Sequence, residues 1–408
     1  MVWSHLLSAT LTPLFPLALS SASSVPISPP SGTCQTLSQP PNFLVVAGGA
    51  NPATNEIALE KNVLYFQRVM QHLGYNPEQE ADFFFANGND GQPTVRYLDE
   101  NDREQFKVPK IPFLNGSSTF NNLVDWFNSP LAQSIDRGLF LYFTGHGLQN
   151  QENTENNTFL LWNKREVSVQ EFTQLLDLMP AKKPVVTMMA QCYSGSFANM
   201  IYEGGNSQNP VALQTRCGFF ATVETLPSVG CTPEVNEADY KDYSSSFFAG
   251  LSGQKRTGEN APSADYNQDG KVSYMEAHAF AKVDNESIDL PLSTSENWLR
   301  QKASETEIQE ILKQPIATVM KTARPEQIYV INQLMERFEG NHLKSYLENL
   351  EDLDPETLEN EVEEAFAVRL MLELVNVGME DKVRQSRQEE DLAILNRLLE
   401  CEQGSWKR

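Results

Sequence analysis

Leu139-Phe-Leu-Tyr-Phe-Thr-Gly-His146-Gly147 and Pro184-Val-Val-Thr-Met-Met-Ala-Gln-Cys192-Tyr-Ser-Gly-Ser196 decide how this 408-residue chain is read. Each stretch opens with an apolar, β-prone run of the length of a buried strand and closes in small residues, where open α/β sheets place their active groups. The histidine and the cysteine lie 46 positions apart. Between them, residues 168–179 carry an amphipathic helix pattern, with Ser168 as N-cap and Phe172, Leu175, Leu176 and Met179 inward. One helix between two strands makes the strands neighbours, so a thiol nucleophile with an imidazole partner is expected.

Working outward, Asn42-Phe-Leu-Val-Val-Ala-Gly-Gly49 is a strand ending in two glycines, followed by Leu59, Val63, Phe66, Met70 and Leu73 at helical spacing. Gly74 fits the end of that helix, and Asp82-Phe-Phe-Phe-Ala86 reads as the next strand. After a polar stretch at 87–119, a helix through Phe120, Leu123, Val124 and Phe127 leads to the His146 strand, and Cys217-Gly-Phe-Phe-Ala-Thr-Val223 extends the alternation beyond Cys192. The fold class expected is α/β, a mostly parallel sheet flanked by helices over residues 42–290. Beyond 295 no strand pattern occurs. Residues 295–408 read as an acidic α-helical module, with 23 Asp plus Glu against 13 Lys plus Arg over 301–408. A packing appendage and an inhibitory or partner-binding cap are the two roles open to it.

A cysteine between a buried strand and a helix is fixed in position by the first and favoured as thiolate by the second, since a helix N-terminus attracts negative charge. Ser194, Gly195 and Ser196 supply the tight turn and an N-cap. Gly147 leaves room for close approach, so its backbone N–H and that of Cys192 are candidate oxyanion donors. A single buried cysteine or histidine is usually a core residue. Here both close apolar strands and both precede small turn residues, which favours a Cys192/His146 dyad.

At these residues the chain resembles the caspase-like cysteine peptidases, the group that includes legumain, caspases, metacaspases and gingipains. The resemblance covers roughly residues 42–290. Thr144-Gly-His146-Gly147 is similar to the group's strand-ending His-Gly, and Cys192-Tyr-Ser-Gly-Ser196 to the Cys-x-Ser-Gly-Ser after the legumain nucleophile. The resemblance implies Cys192 as nucleophile, His146 as general base and acid, and Gly147 with Cys192 as oxyanion donors. Gln191 departs from the Ala common before the nucleophile, and no residue matches the groups' specificity pockets. The expected activity is a cysteine endopeptidase acting on peptide or protein substrates through an acyl-enzyme. A transpeptidase using the same dyad, or an inactive, calcium-stabilised binding protein on the same sheet, are the alternatives.

Asp265-Tyr-Asn267-Gln-Asp269-Gly270-Lys271-Val-Ser273-Tyr-Met-Glu276 fits a twelve-residue EF-hand loop. Asp265, Asn267, Asp269, Ser273 and Glu276 offer side-chain oxygens, Lys271 its carbonyl, and Gly270 the sharp turn that a hard Ca²⁺ site requires. No entering helix is evident before it, and no second loop pairs with it. Bound Ca²⁺, structural or regulatory, is the expected cofactor.

The formal charge of −23 and the lack of any basic stripe argue against a nucleic-acid partner. Residues 1–25 read as a secretory signal with Leu6–Leu19 as its apolar core, and 26–41 as a Pro/Ser-rich linker, so a secreted or periplasmic location is expected. That apolar run is too short for a membrane span of about 20 residues. Among the five cysteines, Cys217 and Cys231 either close a short loop or stay unpaired. His278 and His342 read as surface or capping residues, and Asn115, Asn156 and Asn285 begin glycosylation patterns.

Overall fold

The computed structural model describes residues 40–406, and the expected signal peptide and most of the linker lie outside them. Among the described residues, twelve strands form three sheets: β1 (Asn42–Ala47), β2 (Ala81–Phe85), β3 (Val95–Leu98), β4 (Glu104–Lys107), β5 (Leu114–Gly116), β6 (Leu139–Thr144), β7 (Gly147–Leu148), β8 (Thr158–Leu161), β9 (Arg165–Ser168), β10 (Val185–Met189), β11 (Arg216–Phe220) and β12 (Leu292–Ser293). The main sheet runs β12-β11-β10-β6-β1-β2-β5. Only β12 pairs antiparallel within it. The mostly parallel sheet expected from the sequence is present, with the His146 and Cys192 strands adjacent.

Both faces of the central strands are buried, which is why they read as unbroken apolar runs. Phe43, Val45 and Ala47 face the helices Ile57–His72, Tyr243–Ser252 and Tyr274–Asp284. Leu44 and Val46 face the opposite layer, built from Phe120–Phe127, Val169–Asp177 and the C-terminal helices. Local signals set several helix ends. Gly74 at φ +83° follows the first helix, and Ser168 with Glu171 makes a capping box at 169–177.

The polar stretch 87–119 holds more structure than its sequence suggests. It contains the β3–β4 hairpin and the edge strand β5, and a small β7-β8-β9 sheet follows the His146 strand. These strands are short and half-exposed, so they lack an apolar run to signal them.

Beyond β12 only helices occur among the described residues, and they pack into the sheet's own cores. Arg369, on the 26-residue helix Glu361–Ser386, is buried and donates to the carbonyls of Lys282, Asn285, Ser287 and Asp289. Trp406 is fully buried among Phe43, Phe66, Phe140 and Phe248 on the far side of the sheet. Cys217 is disulfide-bonded to Cys401, 184 positions away, and so is not the partner of Cys231. The short loop weighed from the sequence is thereby excluded. His278 is also not a surface residue: it is buried between Tyr243 and Glu296. Asn285 is buried as well, which leaves it no access for a glycan. No helix among the described residues is long and apolar enough to cross a membrane.

Candidate active site

The strand order reverses between β1 and β6, from which the chain proceeds outward in both directions. In open α/β sheets a ligand crevice lies at the carboxyl ends of strands beside such a switch point. Four segments meet there: residues 48–56 after β1, Gly145–Gly147 after β6, Ala190–Ser194 after β10 and the stretch through Ser228 and Cys231 after β11.

The loop after β1 folds back on itself. A Cβ at Gly49 would fall 1.7 Å from the Thr54 carbonyl oxygen, so only glycine admits the turn. Asn55, fully buried, accepts from the Gly49 N–H at 3.0 Å and donates to the Thr94 carbonyl at 3.2 Å. These bonds aim the Thr54 carbonyl and the Glu56 carboxylate at the end of β6. His146 Nε2 lies 2.9 Å from the first and 3.0 Å from Glu56 Oε2. The other Glu56 oxygen accepts from Arg96 at 2.7 Å.

Glu56 is nearly buried, with 5% of its side chain exposed. Burial pushes its carboxyl up, but the bond to His146, its charge and Arg96 more than offset this, leaving Glu56 below the ordinary carboxylate range. For His146 burial alone would lower the pKa. Hydrogen bonding and charge from Cys231 and Glu56 reverse that and push it up to about 11. The ring is therefore held as imidazolium through the neutral range.

Phe143 pairs with Met189 across β6 and β10, and His146 and Cys192 each follow three residues later. The two stand at the same level on neighbouring strands, as the sequence leads one to expect. A Cβ at Gly147 would come within 2.1 Å of the Cys192 carbonyl oxygen, so the strand ends touch through a glycine. No hydrogen bond joins His146 to Cys192, however. Cys192 Sγ instead accepts from the Ser228 N–H at 3.3 Å and lies 3.5 Å from the Ser228 carbonyl. Ser228 is in turn held by Asp289, which accepts from its Oγ at 3.2 Å and from the Val229 N–H at 3.0 Å.

The helix expected after Cys192 takes another form. Residues Ser194–Ile201 are a 3-10 helix whose N-cap is Tyr193 in the left-handed region at φ +58°, with no side-chain cap. Ser194 bonds instead to the backbone of Thr222. Consistent with this weaker support, burial pushes the Cys192 thiol up, and Cys231 and Asp289 add to it. The Ser228 N–H and the His146 charge pull the other way without overcoming them.

Cys231, weighed from the sequence only as a partner for Cys217 or an unpaired thiol, belongs to the site. It is a free, half-buried thiol whose sulfur lies 3.6 Å from the Gly145 carbonyl. Ligand atoms of Glu56, His146 and Cys231 all lie within 4.8 Å of one another, the only such His/Cys/carboxylate group among the described residues. Glu56 and Cys231 lie well along the loops that follow β1 and β11. Glu56 comes after the Gly48-Gly49 pair and Cys231 after Gly230, the one local signal either carries.

The Asp265–Glu276 loop is wound as its spacing suggests. Gln268 and Gly270 take positive φ. Asp265 accepts from the Asp269 and Gly270 amides, Asn267 from Asp269, and Asp269 from Lys271. Ser273 caps the helix Tyr274–Asp284 in a capping box with Glu276. Glu276 is buried and accepts from the amides of Tyr266, Asn267 and Ser273. The nearest preceding helix ends at Ser252, so loop rather than helix leads into Asp265. The oxygen-only donor set and the turn geometry fit calcium. Glu276 would exchange its backbone donors for the ion.

Searches of the chain against protein-family models and against curated proteins find no match.

Proposed function

We propose that this chain is an exported cysteine endopeptidase of the caspase-like type, with Cys192 as nucleophile and His146 as its acid and base. The observation that carries the reading is the level placement of these two residues at the ends of adjacent parallel strands, beside the sheet's switch point.

The chemistry follows from the charges. Cys192 loses its thiol proton to solvent, and the neighbouring His146 imidazolium favours the resulting thiolate. The thiolate attacks the substrate carbonyl, and the Gly147 and Cys192 amides are the proposed donors to the oxyanion. His146 gives its proton to the leaving amine as the peptide C–N bond breaks, leaving an acyl-thioester. Neutral His146 then takes a proton from water, hydroxide attacks the acyl carbon, and the thiolate departs with His146 again protonated. Glu56 and the Thr54 carbonyl hold the ring throughout. An amine in place of water would give transpeptidation.

Calcium in the Asp265–Glu276 loop would stiffen the start of the helix Tyr274–Asp284, which packs under β10 and β11. The Cys217–Cys401 disulfide supports an oxidising compartment, in keeping with export. One observation favours the non-catalytic alternative: burial raises the Cys192 thiol rather than lowering it.

A positional library of fluorogenic peptides, offered with and without calcium, tests the reading. Cleavage by the parent that vanishes in Cys192→Ala supports it. Silence from a folded, calcium-loaded parent would turn the assignment to the binding protein.

A further inference from the structure

We propose that Glu56, His146 and Cys231 form a binding site for a thiophilic divalent cation of the zinc class, and that its occupation withdraws His146 from acyl transfer. The metal site stands on its own geometry; only the consequence for turnover rests on the peptidase reading.

The three ligand atoms already lie within 4.8 Å of one another, with His146 Nε2 and Glu56 Oε2 3.0 Å apart. Zinc–ligand bonds of about 2.0–2.3 Å imply edges of about 3.3–3.6 Å in a tetrahedron, so small side-chain shifts suffice. The donor set is a thiolate, an imidazole and a carboxylate, which suits zinc and excludes calcium or magnesium as preferred ions. The Asp265–Glu276 loop, offering oxygen alone, has the opposite preference.

The surroundings hold the ligands in place. Arg96 occupies the second Glu56 oxygen and leaves Oε2 for the cluster. Asn55 fixes the loop that presents Glu56, and the Thr54 carbonyl lies 2.9 Å from the same His146 Nε2 that faces Glu56, a contact the ion would replace. Glu56 is nearly closed off, with 5% of its side chain exposed, while His146 at 23% leaves a path for an ion. Three protein ligands leave a fourth position, for water or for the Cys192 thiolate.

Binding is an exchange of protons for metal. Zinc takes cysteine as thiolate and histidine as neutral imidazole, so any proton on those ligand atoms leaves as the ion enters. Bound to the ion through Nε2, His146 keeps only the N–H of its other nitrogen and cannot cycle through imidazolium, the acid form that acyl transfer uses, so the same event stops catalysis.

The test uses the full chain, freed of metal, with calcium in excess to fill the EF-hand-like loop. Titration with Co²⁺, which takes zinc's geometry and is coloured, should give a sulfur-to-cobalt absorption band saturating at one equivalent, bleached by Zn²⁺. In Cys231→Ser and Cys231→Ala, checked for parent-like circular dichroism, the band should vanish and Zn²⁺ affinity should fall by at least about tenfold, the least that losing even an outer-shell partner costs. A band that survives both Cys231 variants and disappears in Cys192→Ala would place the metal on the other thiol and overturn the proposal, as would no band in the parent. These readouts need no turnover. A parent that binds cobalt through Cys231 and cleaves no peptide would sink the peptidase reading and leave the site standing.

Discussion

Phe143 and Met189 are the last paired residues of β6 and β10, and this one rung sets His146 and Cys192 level with each other three residues further on. The contact between the strand ends is close enough to test. A methyl group at residue 147 would lie 2.1 Å from the Cys192 carbonyl oxygen. Gly147→Ala should therefore cost about 1–3 kcal/mol in denaturant unfolding, the range of overpacked interiors. It should also slow alkylation of Cys192. A variant as stable and as reactive as the parent would mean that the strand ends do not meet there.

Glu56 should set the titration of His146. With its partners the ring is pushed up to about 11, so the interaction stabilises the fold fully below His146's ordinary 6.5 and is lost as pH rises through about 11. Glu56→Gln removes the charge, and the ring pKa, followed by NMR, should fall toward its ordinary value. The stability gap between parent and variant should narrow as pH rises from 7 to 11. A titration unmoved by Glu56→Gln would leave Cys231 as the group that holds the proton.

The two ends of the calcium loop should behave differently. The Asp265 carboxylate accepts from the amides of Asp269 and Gly270 within the loop, so Asp265→Ala should abolish the calcium-induced rise in melting temperature with little change in chelator. Glu276 also completes a capping box, so Glu276→Ala should cost about 0.5–2 kcal/mol even without calcium. A parent indifferent to calcium would remove the metal assignment.

The C-terminal end should prove structural. Trp406 is fully buried against four phenylalanines beneath the sheet, and Trp406→Ala should cost about 3–5 kcal/mol. Removing residues 300–408 also strips Cys401 and Arg369 from the sheet layer and should yield insoluble chain. A soluble, melting product would show instead that the helices are separable.

Much of this architecture is legible in the chain, because strands buried on both faces are largely apolar: β1, β6, β10 and β11 fall where apolar runs lie, and β2, half-buried on one face, is still marked by its run of phenylalanines. The hairpin at 95–107 is not, since half-exposed strands of four residues carry no periodic signature. At the site, His146 and Cys192 are readable because each ends a strand. Glu56 and Cys231 are not, because an upstream glycine is all that marks them locally and only the folding back of the loops after β1 and β11 brings them to His146. The same limit explains the disulfide. Cys217 and Cys401 are joined by a tertiary approach across 184 positions, which no spacing rule anticipates.

Two free thiols flank one histidine, so the most direct measurement is which sulfur acts as the nucleophile toward an electrophilic peptide. The full chain would be treated with a peptidyl acyloxymethyl ketone, digested, and the adduct located by mass spectrometry. Catalysis through Cys192 predicts a single adduct on that residue, lost in Cys192→Ala. An adduct on Cys231, or none on a folded and calcium-loaded protein, would contradict it.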